Sequence, residues 1–497
     1  MYFSKSKYCS LWQCPKMCWL KKYKPEEAKI DPEIQSRFET GTQVGELAKG
    51  LFGENLDVTT LKADGSLNLP AMIEKTKKAI ADGVENICEA AFSPDGLYCA
   101  VDILHREKGG YAIYEVKSST KVSPVYCVDI AYQKYVLQKC GVTVTGVYVV
   151  NIDTSYVRYG ELDINKLFKI TDVSQSVEDE EKMVEQNLAY AEKLLSNHNE
   201  PEIDIDIRCT DPYDCSYWDY CTRHIPHPTV FDLYNVKSEN KLALYKSGIT
   251  TFEDLVANGV ALKGITKMQV DFALNDRETY IDREKIKEFL DTLSYPLYFL
   301  DFESMQLAIP QFDNSKPYQQ IPFQYSLHYI ECEGGQLQHK EFLAPSGVDP
   351  RRELAESLCN NIPDNVCVIV YNKTFECSVL NELAKLFPDL GEHLLKIRSN
   401  IKDLYIPFQK GYYYNRAMFK NLRIKTVLPA VFPDQPELNY HNLDGVHNGS
   451  EAKDIFPKIK DMPPQEAQKA REQLLKYCEL DTFAMVKLWQ ELVRVTK

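Results

Sequence analysis

Positive charge is scarce in this chain of 497 residues: 58 Lys and Arg stand against 72 Asp and Glu, a formal net charge of −14. A uniformly basic surface for gripping a polyanion is thereby excluded, whereas a metal-dependent site that concentrates acids is not. Long apolar runs are missing too. No stretch is long enough to cross a bilayer, so no membrane partner is expected. The segment MYFSKSKYCSLWQCPKMCWLKKYK lacks the uninterrupted apolar core of a signal peptide, and a cytoplasmic protein is expected. Internal repeats and low-complexity tracts are absent. The phosphate-cradling pattern GxxxxGK[ST] does not occur, so any motor must come from a partner such as a helicase. The C-x₂-C spacing of zinc knuckles is likewise missing.

The length calls for two or three domains, and a hydrophobic fraction of 44% with 26% charged residues is that of a soluble globular protein. Residues 1–225 read as one α/β unit, with amphipathic helices over 69–81 and 178–196 and a strand over 143–153. Residues 226–290 read as a helical linker module with short helices around Gly248 and Gly264. Residues 291–497 read as a second α/β domain, with strands in PLYFLDFES, FQYSLHYIE and CVIVYN and helices over 376–387 and 465–494. Lys16, Lys21, Lys22 and Lys24, then Lys75, Lys77 and Lys78, are local basic stretches able to contact phosphates.

The most informative segment is DGLYCAVDILHREKGGYAIYEVKSST, residues 95–120. It reads as two strands joined by a charged turn ending in Gly-Gly. Glu115 and Lys117 are two apart on a strand and share a face, and folding the hairpin back brings Asp102 alongside Glu115. Carboxylates so placed repel unless a cation neutralises them. Mg²⁺ suits hard oxygen ligands, and the lysine can polarise a water or stabilise charge developing on a phosphate.

Fifteen cysteines, an odd number in a reducing compartment, do not suggest a disulfide framework. Cys209, Cys215 and Cys221 lie in CTDPYDCSYWDYC with five residues in each gap, which suggests thiolate ligands to a soft centre. Cys9, Cys14 and Cys18 offer a fourth, and Cys14, in QCP, is the preferred one. Such a set would tie the two ends of the first domain together. A [4Fe–4S] cluster fits the spacing, with tetrahedral Zn²⁺ as its rival.

A second set of acids occupies the last domain. Asp301 and Glu303 share a strand face, and Tyr477 and Asp481 share a helix face one turn apart. Asn372 and Glu376 stand four apart at a strand-to-helix junction, and Asp403 lies among hydrophobic neighbours. Several converging carboxylates suit two-metal phosphodiester hydrolysis, with a tyrosine to position the attacking water.

These residues carry two resemblances. Asp102, the Glu115-Val116-Lys117 triplet and Gln133, with one N-terminal and three C-terminal cysteines, resemble the PD-(D/E)XK pattern of RecB-like nucleases that hold an iron–sulfur cluster. This implies a restriction-endonuclease-like fold over 1–225, with Asp102 and Glu115 on Mg²⁺ or Mn²⁺, Lys117 assisting catalysis and Gln133 on a nearby helix. The family often has an upstream His; here GTQVGELAKGLFG offers Gly45 and Glu46, and Glu46 is the candidate ligand in its place. Glu89 is a further candidate. Residues 291–497 resemble the DEDD exonucleases of the ribonuclease H-like fold, tyrosine subclass, and a domain commonly fused behind RecB-like nucleases. This implies metal binding by Asp301, Glu303 and Asp481, with Tyr477 in the third motif and Glu376 where the family has Asp; Asp403 is the alternative there. Together the resemblances imply a metal-dependent nuclease that cuts DNA at one site and trims 3′ ends at another, with RNA as alternative substrate, in repair, recombination or defence against foreign DNA. The rival expectation is a nucleic-acid-binding or assembly protein whose cluster is structural and whose acid sets are relics.

Overall fold

A computed structural model describes residues 3–29 and 34–497. The fold is mixed α/β and divides into two compact units. The first comprises Met1–His224 and Leu307–Tyr318; the second comprises Ile225–Gln306 and Gln319–Lys497. The helical stretch expected as a separate linker module is therefore part of the second unit. The short segment Leu307–Tyr318 belongs to the first unit, where Ala308 joins a buried cluster with Val150, Ile152 and Phe168. Among the described residues no helix is long and apolar enough to cross a membrane.

The first unit is built on a seven-stranded sheet. Its elements are β1 (Phe3–Ser4), α1 (Lys5–Gln13), α2 (Pro15–Tyr23), α3 (Ile34–Ala48), β2 (Leu56–Asp57), α4 (Leu69–Ala81), β3 (Asn86–Phe92), β4 (Leu97–Glu107), β5 (Gly110–Lys117), α5 (Pro124–Lys139), β6 (Val144–Ile152), β7 (Phe168–Asp172) and α6 (Ser174–Ser196). The strands run in the order β2-β3-β4-β5-β6-β7, and β1 adds to β4 in parallel. The helix expected over 69–81 is α4: Asn68 caps it by accepting from the Ala71 N–H, and Pro70 sits where the first turn has no donor to lose. Helix α5 is buried on almost every side, through Val128, Ile130, Ala131, Tyr132 and Val136 among others. Its two polar residues at helical spacing, Asp129 and Gln133, are buried as well and need partners inside the protein.

The β4–β5 hairpin sets the register on which the first acidic centre depends. Both strands run further than the sequence suggested, leaving only Lys108 and Gly109 between the closing pair Glu107 and Gly110. Gly109 has φ +97°, a conformation that suits glycine at a two-residue turn. Gly110 is required for a different reason: a Cβ there would stand 2.2 Å from the carbonyl oxygen of Thr143, which accepts the Tyr111 N–H. The ladder ends at the pair Ile103 and Tyr114, and just beyond it the Asp102 carboxylate accepts the Val116 N–H beside Glu115. On the other side of β4, Cys88 pairs with Ile103 and Ala90 with Val101, so Glu89, at φ +56°, stands opposite Asp102. Glu89 and Asp102 thus stand side by side across β3 and β4.

In the second unit, α7 (Ser238–Lys246), α8 (Phe252–Ala257) and α9 (Gly264–Leu274) precede a five-stranded sheet. Its strands are β8 (Leu297–Met305), β9 (Ile321–Ile330), β10 (Gln338–Leu343), β11 (Cys367–Val370) and β12 (Ile401–Asp403), in the order β10-β9-β8-β11-β12. Pairing is antiparallel from β10 to β8 and parallel from β8 to β12. All ten residues of β9 are buried, so this strand is covered on both faces. Helices α10 (Thr374–Leu386), α11 (Ile424–Val431) and α12 (Pro464–Thr496) complete the frame of the second centre, and α12 packs across β8 and β9.

Replacing Gly110 by Ala should lower the stability of the protein by about 1–3 kcal/mol, because the methyl group meets backbone rather than a movable side chain. The shift is read as a lower denaturant midpoint at unchanged slope.

Candidate active sites

The first centre gathers around Glu115, which is 1% exposed. Lys117 Nζ lies 2.6 Å from Glu115 Oε1 and 3.2 Å from Asp129 Oδ2. Lys5 Nζ, from α1, lies 3.1 Å from Glu115 Oε1 and 4.0 Å from Asp129. The Gln133 amide donates from Nε2 to Glu115 Oε2 at 2.8 Å and to Asp129 Oδ1 at 3.0 Å, while its Oε1 is buried without a partner. Asp102 accepts the Val116 N–H at 2.7 Å. The structure thus brings together Asp102, Glu115, Lys117 and Gln133, and adds Lys5 and Asp129.

Electrostatics divides the acids. Burial and the neighbouring Glu115 push Asp102 up to about 7. Burial acts the same way on Glu115, but the ammonium groups of Lys117 and Lys5, with hydrogen bonds from Lys117 and Gln133, outweigh it and hold Glu115 below the usual carboxylate range. Burial disfavours both lysine charges, yet the surrounding carboxylates overcome it, and Lys5 and Lys117 are held above their ordinary values. The acids converge here as expected, and two ammonium groups, Lys5 and Lys117, already meet the carboxylates of Glu115 and Asp129.

Glu46, the substitute ligand suggested by the sequence, is mostly exposed and bonded to Lys49. Glu89 is the acid in register with Asp102, and burial raises its pKa. The N-terminal lysines are engaged in the fold: Lys16 and Lys24 pair with Glu200, Lys21 donates to Ser10 and Lys22 to the Leu195 carbonyl. Lys77 pairs with Glu74.

Cys14, Cys209, Cys215 and Cys221 line one small cavity, together with Met17, Leu20 and Tyr217. No two of the cysteines form a disulfide. The cavity exists because α1 and α2 fold onto the far end of the unit: Gln13 donates to the carbonyls of Arg208 and Tyr213 at 2.9 and 2.8 Å, and the Trp19 indole donates to that of Asn197 at 2.8 Å. Burial and neighbouring thiols push Cys209 up to about 11 and raise Cys215 and Cys221. These four cysteines share one cavity wall that is otherwise largely apolar.

The second centre lies at the acid-bearing end of β8. One carboxylate oxygen each from Asp301, Glu303 and Asp481 falls within 4.8 Å of the others, with Glu303 and Asp481 buried and Asp301 half-buried. Tyr440 donates to Asp481 Oδ1 at 2.6 Å. Lys425 Nζ donates to the Tyr477 hydroxyl at 2.6 Å and to the His447 carbonyl at 3.0 Å. Glu376 is buried, and its Oε2 has no hydrogen-bond partner among the described residues. Asp403 faces a different task. It accepts the N–H groups of Asn372, Lys373 and Tyr405, closing the turn that starts α10, where Asn372 has φ +68°. Glu376, rather than Asp403, therefore keeps a carboxylate available in this motif.

Among the described residues no ammonium touches these acids directly, and burial with mutual repulsion raises their pKa values. Burial and then the charges of Asp481, Glu303 and Glu376 drive Asp301 well above the carboxylate range. Burial and Asp481 push Glu303 up to about 8, and burial, with Asp403 nearby, pushes Glu376 up to about 8. Burial also raises Asp481, against Lys425 and the two tyrosines, and lowers Lys425 itself.

Sequence reasoning missed Lys5, Asp129, Lys425 and Tyr440. Asp129 carried a signal, its four-residue spacing from Gln133 on a buried helix. Lys5, Lys425 and Tyr440 arrive from distant segments whose local sequence marks no site.

Residues 298–420 match a domain of unknown function, DUF2779, which takes in β8 through β12. An uncharacterised protein of Ureaplasma parvum is 30% identical over 225 residues, covering 40% of this chain and 31% of that protein. An uncharacterised protein of Mycoplasma pneumoniae is 29% identical over 234 residues, covering 43% of this chain and 34% of its own length. The matched stretch thus spans about a third of each of these relatives. No solved structure matches the chain.

Proposed function

We propose that the protein is a divalent-metal-dependent nuclease with two acidic centres, acting on DNA. The convergence of Asp301, Glu303 and Asp481 oxygens within 4.8 Å, beside a buried Glu376 oxygen with no partner, carries this reading. Such a set is stable as a charged group only around a cation, and hard oxygen donors favour Mg²⁺ or Mn²⁺. The mixed sheet adds support for a ribonuclease H-like architecture: β8 is its central strand, with antiparallel neighbours on one side and parallel ones on the other.

In the second centre Asp301, Glu303, Glu376 and Asp481 would hold the ions, which supply Lewis-acid stabilisation of the attacking and leaving oxygens. Tyr440 fixes the Asp481 carboxylate. Tyr477, held by Lys425, orients a water toward the phosphate. In the first centre Asp102 and Glu115 would be the ligands. Gln133 holds Glu115 in place, and Lys117 stands ready to stabilise negative charge developing on a phosphoryl oxygen. The four cysteines lining one cavity would hold a [4Fe–4S] cluster, with zinc as rival, that would fasten α1 and α2, and with them Lys5, to the body of the unit.

On end-labelled single-stranded DNA with Mg²⁺, Lys117→Ala and Asp102→Ala should each reduce cutting by the first centre roughly 10²–10³-fold, and Asp301→Ala should abolish 3′ trimming while leaving the first activity. A wild-type protein that binds strands but cuts none with Mg²⁺ or Mn²⁺ overturns the enzymatic reading.

Anaerobically purified protein should be brown, and Cys215→Ala should be colourless and less stable. A colourless wild type that contains zinc assigns the cavity to zinc instead.

The raised carboxyls set a pH dependence. Glu303 and Glu376 hold protons in the folded, metal-free protein that they release on unfolding, so stability falls as pH rises from their ordinary 4.5 toward about 8. Mg²⁺ should bind more tightly over the same interval, since it displaces those protons. Melting temperatures across pH, with chelator and with Mg²⁺, read both effects, and Glu303→Gln should flatten the metal-free slope.

A further inference from the structure

A second cluster in the same unit serves none of the steps above. His328 on β9 and His339 on β10 are paired directly across the ladder, so both project from one face of the sheet. Their ring centroids are 4.4 Å apart. Glu479, on α12, completes the group: one ring nitrogen of each histidine and one Glu479 oxygen lie within 4.8 Å of one another. His328 is buried, His339 half-buried and Glu479 exposed, so the cluster runs from the interior to the surface.

The hydrogen bonds behind the rings settle which nitrogens are free. Thr482 Oγ1 lies 3.1 Å from the Glu479 main-chain oxygen, 2.7 Å from Ser326 Oγ and 2.8 Å from His328 Nδ1. Ser326 Oγ lies 2.9 Å from His339 Nε2. A carbonyl only accepts, so the Thr482 proton goes to Glu479. Thr482 must then accept from Ser326 and from His328 Nδ1–H. The Ser326 proton being committed, His339 Nε2–H must donate to Ser326. One pattern satisfies all four bonds: His328 donates from Nδ1 and His339 from Nε2, so His328 Nε2 and His339 Nδ1 are the nitrogens left for a ligand.

We propose that His328, His339 and Glu479 form a binding site for a divalent transition ion of the Zn²⁺ class, separate from the all-carboxylate centre. Two imidazoles and one carboxylate are a donor set that Zn²⁺ accepts and Mg²⁺ does not favour, and three protein ligands leave a position open to water. Ser326 and Thr482 act as the outer partners that orient ligating histidines. Because Thr482 follows Asp481 directly, an ion here pins α12 to β9 and β10 beside the acidic centre.

The test is equilibrium dialysis of the full-length protein against buffered Zn²⁺ with Mg²⁺ in large excess, with metal counted by elemental analysis. Wild type should retain one more equivalent of Zn²⁺ than His339→Ala or Glu479→Gln, and Asp301→Asn should retain that equivalent. Thr482→Val should weaken its binding roughly tenfold or more by freeing the His328 ring. Should His339→Ala fail to fold, Glu479→Gln decides, since its side chain is at the surface. Equal Zn²⁺ content and affinity in wild type and Glu479→Gln overturns the proposal, as does loss of the equivalent in Asp301→Asn alone.

Discussion

Carboxylates that share a water-poor pocket repel one another, and every neighbouring choice in this protein answers that repulsion. Two answers are visible. Around Glu115 the charge is met by ammonium groups, Lys117 at 2.6 Å and Lys5 at 3.1 Å, so Glu115 stays ionised while Asp102 is pushed up to about 7. Around Asp301 no cation among the described residues is in contact, and the pKa values of the acids rise: Glu303 and Glu376 are both pushed up to about 8. The first centre is poised with its charges in place. The second is poised to exchange protons for metal.

Both centres hang on strand register. In the first unit a two-residue turn sets the β4–β5 register, just beyond whose last pair Asp102 accepts the Val116 N–H, and the left-handed Glu89 stands across from Asp102 on β3. In the second, alternation along β8 puts Asp301 and Glu303 on one face, and helix α12 lies across that face to deliver Asp481 and Tyr477. A slip of one residue in either strand would turn the acids to the opposite face. The same helix presents Glu479 and Thr482 to the histidine pair, so acidic and imidazole donors are organised by neighbouring turns of α12.

Much of the first centre was legible because its parts are local. A hairpin converts spacing along the chain into opposition across a ladder, and a helix converts i, i+4 into one face. Glu46 misled because a helical acid near a glycine carries no information about its partner, which proved to be Lys49. The choice between Glu376 and Asp403 was equally invisible. Both flank the β11–α10 junction, and only the backbone shows that Asp403 receives three N–H groups and is committed to the turn. The stretch 226–290 read as a linker because its helices are short and punctuated by glycine, although it packs as part of the second unit.

Sequence alone determined the mixed α/β class, the strand and helix faces that carry the acids, and the evenly spaced Cys209, Cys215 and Cys221, since periodicity and close spacing express themselves over a few residues. Tertiary structure decided which cations and hydrogen bonds those acids receive. Lys5 reaches Glu115 across 110 residues, Lys425 reaches Tyr477 across 52, and Ser326 meets Thr482 across 156. No local pattern encodes such pairings, because they follow from how strands and helices are packed together, and the state of a buried charge depends on every group that packing brings within a few ångströms.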